Sequence, residues 1–151
     1  FATSPQYFNG NPSVGSLNVP TLPFDTTATT DEGTTYQTLA SGQTWHITGT
    51  FASYLQIDSS SPAGSYAQIT AQMYDATGAA TIGDPCLIAC VNDLGDTIYN
   101  NGGLCNVITT ASAIALQLRF KVYSFSGAII NGAAIVSGTD YNSVLCGHQI
   151  K

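Results

Sequence analysis

From about residue 34 onward, apolar and polar positions alternate with a period of two, the pattern of strands that bury one face. In 45–57 the positions Trp45, Ile47, Phe51, Leu55 and Ile57 are apolar, against His46, Thr48, Thr50, Tyr54 and Gln56. In 66–74, Ala67, Ile69, Ala71 and Met73 oppose Tyr66, Gln68, Thr70, Gln72 and Tyr74. The clearest run is 113–123, where Ile114, Leu116, Leu118, Phe120 and Val122 share a face opposite Gln117, Arg119, Lys121 and Tyr123. Shorter strands are predicted over 34–39, 86–92, 104–110, 127–137 and 143–150. Between the runs lie turn-forming clusters: 75–78 (DATG), 83–85 (GDP), 93–96 (DLGD) and 100–103 (NNGG). Asn131-Gly132, flanked by apolar residues, predicts a tight hairpin. No stretch has helical periodicity and no internal repeat is visible. Many short strands with this much turn chemistry predict an all-β fold, a sandwich or jelly roll.

Residues 1–33 break the pattern. Pro5, Pro12, Pro20 and Pro23 punctuate a stretch rich in Asn, Gly, Ser and Thr, and proline is excluded from central strands. This stretch reads as an extended arm, and 34–151 as the folded domain.

Composition then narrows the function. The 151 residues suit one domain with a sizeable core. Charged residues are only 8%, against about 25% in an ordinary globular chain. The cations are Arg119, Lys121 and Lys151, and the net charge is −6. That argues against nucleic acid, whose binding needs Lys and Arg to displace counterions, and against anionic membranes. The apolar runs are too short for a membrane-spanning helix. Residue 1 is Phe with no basic leader after it, so the chain reads as a fragment or processed product.

The chemistry-bearing residues are few. Cys86, Cys90, Cys105 and Cys146 contain no CxxC motif, and with two His a zinc site is not expected. Cys86 and Cys90, four apart in one strand, are about 13 Å apart, beyond the roughly 7 Å a disulfide tolerates. Each is free to pair with Cys105 or Cys146, or all four are buried thiols. Asp75, Asp84, Asp93, Asp96 and Asp140 fall in predicted turns, where Asp is common for conformational reasons. No serine has a nucleophile-elbow context. His46 and His148 read as packed strand residues rather than as a base. Asn92, Asp93, Asp96 and Asn100 form an oxygen-rich loop without EF-hand spacing, read as a solvated turn. No catalytic residue, metal or cofactor is therefore expected.

The strand faces say more. Tyr54, Tyr66, Tyr74 and Tyr123 sit opposite the predicted core, among Thr, Gln and Ala instead of charges. Enriched aromatics with depleted charge mark a protein interface.

The segments LASGQTWHITGTFASYLQI, GSYAQITAQMYDATGAATIGDP, TTASAIALQLRFKVYS and YNSVLCGHQIK, with FATSPQ at the start, resemble the tumour-necrosis-factor-like (C1q-like) jelly-roll heads of phage and bacterial surface fibres. The resemblance implies a homotrimeric head after a shaft-end arm, extracellular or on a virion. It implies attachment to a cell-surface glycan or other envelope component. It places Tyr54, Tyr66, Tyr74, Tyr123 and His148 between protomers. Ligand-binding loops would be 58–65, 92–103 and 138–142, with Asp93, Asp96, Tyr99, Asn100, Asn101, Asp140 and Tyr141 as candidate contacts. The four cysteines depart from phage fibres, which assemble in a reducing cytosol, and favour an exported bacterial fibre. A monomeric carbohydrate-binding module and a purely structural capsid or spike protein are the alternatives.

Overall fold

The computed structural model describes residues 6–21, 26–92, 94–95, 97–137 and 142–150. The described residues form ten strands and no helix: β1 (Tyr7–Gly10), β2 (Thr26–Asp31), β3 (Gln37–Leu39), β4 (Thr44–Ile57), β5 (Tyr66–Asp75), β6 (Ala80–Val91), β7 (Thr97–Thr109), β8 (Ile114–Phe125), β9 (Ile130–Val136) and β10 (Val144–Gln149). All pair antiparallel in two sheets. The first runs β1-β10-β4-β7, with β9 also on β4; the second runs β2-β8-β5-β6, with β3 also on β8. The chain is an all-β jelly-roll sandwich.

Each sheet has one long spine. β7 pairs along the whole of β4, so β10 (against Trp45–Thr50) and β9 (against Ala52–Ile57) divide its other edge. Where they part, the Ser143 hydroxyl accepts from the Ala52 N–H at 2.9 Å and donates to the Val136 carbonyl at 2.8 Å. β8 repeats the plan, with β5 on one edge and β2 and β3 dividing the other.

The period-two reading holds in both spines. Trp45, Ile47, Phe51, Leu55 and Ile57 face inward from β4, and Leu116, Leu118, Phe120 and Val122 from β8, all fully buried. The sheets meet at Phe51 and Phe120, whose rings pack edge to face at 5.7 Å and 82°. Each such side chain contributes roughly 1.5–3 kcal/mol by leaving water.

Three predicted turns are instead inside strands. Gly83, Asp84 and Pro85 bulge out of edge strand β6 between the pairs Met73↔Ile82 and Ala71↔Cys86. An edge strand tolerates both proline and a bulge. Asn131-Gly132 makes no hairpin: β9 runs through it, and the register slips so that Gln56 faces Gly132 while Ile57 faces Ile130. The Asn131 amide donates to Asp58 Oδ2 at 2.9 Å, and a Cβ on Gly132 would lie 3.0 Å from the Tyr54 ring. The pair is a bulge shaped to Tyr54. The stretch 100–103 belongs to β7, paired to Ser53, Ala52, Phe51 and Thr50.

The described part of 1–33 is also corrected. Instead of an arm apart from the domain, residues 7–10 add β1 to β10 and 26–31 add β2 to β8. Val14 bridges Ile135 and Leu17 is buried. Pro12 and Pro20 lie between these strands. Short polar edge strands need only one partner and half a buried face, which is why alternation was weak here. The Glu32 carboxylate accepts from the Tyr36 hydroxyl and from the Ser13 N–H; burial still pushes its pKa up, the larger effect.

Candidate functional site

Register across the first sheet lines up residues far apart in sequence. One outward row is Tyr7, His148, His46 and Val107; the next is Asn9, Cys146, Thr48 and Cys105. Further along, Tyr54 lies between Tyr99 and Ala134. None of these outward positions is Asp, Glu, Lys or Arg.

Tyr7, Asn9, His46, Thr48, Cys146 and His148 line an open groove of about 400 Å³ together with Phe8 and Gly147. The Tyr7 ring stacks on the His148 imidazole at 4.6 Å and 12°, yet remains 66% exposed. The two rings make a flat aromatic platform with one face open. Asn9 and Thr48 beside it offer amide and hydroxyl groups, and the imidazoles a donor and an acceptor each when neutral. Below the platform, Phe8 turns inward to Trp45 at 5.6 Å. On the far side of His46, its Nε2 lies 3.2 Å from Cys105 Sγ. Apolar surface with a few convergent polar groups is the usual make-up of a ligand site.

The second sheet presents a different face. Tyr66 stacks on Phe125 at 4.5 Å and 12°, and Tyr123 on Phe125 at 5.9 Å and 8°. Arg119 lies over the Tyr74 ring at 4.0 Å and pairs with Asp31 at 2.5 Å. Arg119 and Lys121 are both on this face; Lys151 lies outside the described residues.

The structure sorts the expected site residues as follows. Tyr66, Tyr74 and Tyr123 share the outer face of the second sheet, Tyr66 and Tyr123 together around Phe125 and Tyr74 at the other end of β5 beside Arg119, whereas Tyr54 and His148 lie on the opposite side of the sandwich. Asp93, Asp96, Asp140 and Tyr141 lie outside the described residues. Tyr99, Asn100 and Asn101 are corrected from loop to strand, because β4 is long enough to pair with β7 as far as Thr97. Tyr99 is exposed and tilted against Tyr54 at 5.6 Å. The loop after β4 is tied down by Asp58, which accepts from the Ser60 hydroxyl at 2.5 Å and the Ser60 N–H at 2.7 Å. These bonds, with that from Asn131, lower the Asp58 pKa to about 2.

Trp45 is buried, as expected. All four cysteines are free thiols. Among the described residues, no three of His, Cys, Asp and Glu converge as metal ligands. Tyr7, an exposed part of the groove, was missed: only Tyr7, Phe8 and Asn9 alternate there, and three residues are too few to read as a strand.

No family model matches the chain, and no curated protein matches it in sequence. Among solved structures, the VP2 subviral particle of infectious bursal disease virus is similar over 97% of this chain and 33% of that one, with TM-score 0.50 and 11% identity. The Gt strain of the same virus gives TM-score 0.42 and 13% identity, over 97% of this chain and 38% of that one. The CBM22-1–GH10 modules of Clostridium thermocellum xylanase 10B, complexed with xylohexaose, give 0.38 and 10%, over 91% and 24%. The first likeness is one of fold alone, a jelly roll, and the chain spans about a third of that VP2 chain. It stops short of the tumour-necrosis-factor-like head that the sequence resembles.

Proposed function

We propose that the chain is the recognition tip of a homotrimeric, tumour-necrosis-factor-like fibre head, outside the cell or on a virion, and binds a cell-surface glycan without catalysis. The open Tyr7–His148 platform carries this reading. A flat aromatic face beside amide, hydroxyl and imidazole groups matches a sugar, which offers an apolar C–H face and a rim of hydroxyls. The groove thus replaces the loops as the ligand site. Trimer contacts fall on the second sheet, through Tyr66, Tyr74 and Tyr123. A cyclic trimer joins two different patches of each protomer, so a single aromatic face supplies one half of each contact.

Light scattering is expected to give three times the 15.7 kDa chain mass. Tyr66→Glu is expected to release folded monomer, because assembly would bury an unpaired carboxylate. A trimer with unchanged melting would move the interface off this face. On a glycan array, the wild-type chain is expected to bind and Tyr7→Ala to lose at least about tenfold, roughly 1.4 kcal/mol. Equal binding by Tyr7→Ala would remove the groove from the reading. A monomer that binds glycan would point to a carbohydrate-binding module. A trimer that binds none would point to a structural capsid or spike part.

A further inference from the structure

We propose that Cys105 and His46 form a reactive thiol–imidazole pair that exchanges with small disulfides, making this edge of the first sheet a site of reversible S-thiolation. The proposal stands independently of glycan binding. Cys105 is exposed on β7, and His46 Nε2 lies 3.2 Å from its sulfur. They are diagonal neighbours: Cys105 pairs across to Thr48 and His46 to Val107. His46 stands on β4, paired on both sides there by β10 and β7, and Cys105 on the edge strand β7, paired along β4. The thiolate is the nucleophile in exchange, and a neighbouring imidazole activates a thiol by taking its proton. The surrounding outward residues are Thr48, Val107, Gly103, Cys146, Tyr7 and His148. None of these is a carboxylate or a fixed cation; the nearby carboxylate is Asp84 of β6, which lines a cavity together with Cys105, so the imidazolium formed has the thiolate and Asp84 as its negative neighbours.

The step balances as an exchange. The Cys105 proton passes to His46 Nε2. The thiolate attacks one sulfur of the small disulfide, a Cys105–S–S–R bond forms and the original S–S bond breaks. The leaving thiolate takes the proton from His46, giving one mixed disulfide and one free small thiol. Cys146 does not resolve the adduct. It and Cys105 flank Thr48 on opposite sides, two strand spacings or roughly 9–10 Å apart, beyond disulfide reach. Cys86 lines a cavity of about 180 Å³ that Cys105 also lines, so onward exchange is controlled for with Cys86→Ser.

The test exposes the whole chain, and its Cys86→Ser variant, to oxidised glutathione at neutral pH and follows each cysteine by mass spectrometry. Cys105 is expected to gain the adduct at least about tenfold faster than N-acetylcysteine reacts under the same conditions. His46→Gln is expected to remove that advantage, and imidazole in the buffer to restore part of it to His46→Ala. A Cys105 rate unchanged in His46→Gln would overturn the proposal. So would a wild-type rate at or below that of N-acetylcysteine, a comparison that holds even if the His46 variants fail to fold.

Discussion

Leu118→Asp is expected to leave no folded protein. Leu118 is fully buried at the middle of β8, paired to Met73 on the spine of the second sheet. An ionised carboxylate there loses its hydration with no partner on the apolar face. The cost is several kcal/mol even after relaxation, and the variant also loses the transfer energy of leucine. A domain of this kind holds about 5–15 kcal/mol in total, so one such change consumes most of it. Expression into inclusion bodies, or purified material without a cooperative melting transition, is the expected readout. Leu118→Met keeps the volume and polarity and should cost under about 1.5 kcal/mol. A soluble Leu118→Asp chain melting as the wild type does would mean that the register of β8 is wrong.

The second large effect is expected at Gly102, where a single methyl group should lower the melting temperature by roughly 5–10 °C. A Cβ on Gly102 would lie 2.3 Å from the Ile88 Cα and 2.7 Å from its carbonyl oxygen. Those are backbone atoms of β6, the edge of the opposite sheet, and cannot rotate aside. Gly102→Ala must therefore push β6 away from β7, at about 2–3 kcal/mol for overpacking of this kind. Gly15 serves as the control: nothing lies within 4 Å of its Cβ position, and Gly15→Ala should stay within about 0.5 kcal/mol of wild type. Equal melting of the two variants would show that the two sheet edges are not in contact at Ile88.

These two positions mark what could be read from the sequence. Leu118 lies in a run where every second residue is apolar, because β8 is central and has one face in the core and one outside. Such strands print their geometry directly onto the sequence. Gly102 was read as a turn residue, since Asn-Asn-Gly-Gly is strong local turn chemistry. Its actual role, letting two sheet edges touch, depends on Ile88, which local propensity cannot see. The same holds for Gly83-Asp84-Pro85 and Asn131-Gly132, breakers absorbed as bulges because their partner strands continue past them. The aromatic face of Tyr66, Tyr74 and Tyr123 was legible because those residues alternate on two well-patterned strands. The groove was not: Tyr7, His46 and His148 become neighbours only through the register of three strands from distant parts of the chain.

The pairing of β1 with β10 joins Tyr7 to His148, the largest sequence separation among the paired strands. β10 is also the strand that covers the Trp45–Thr50 edge of β4. During synthesis, β4 is therefore made long before the segment that covers its edge, and β1 waits longest of all. Contacts of such long range are slow to form, and the uncovered edge is a template for unwanted strand addition meanwhile. Closure of this sheet should thus be timed by the arrival of residues 144–149, and truncation just before them should leave both β1 and the Trp45–Thr50 edge of β4 without their partner.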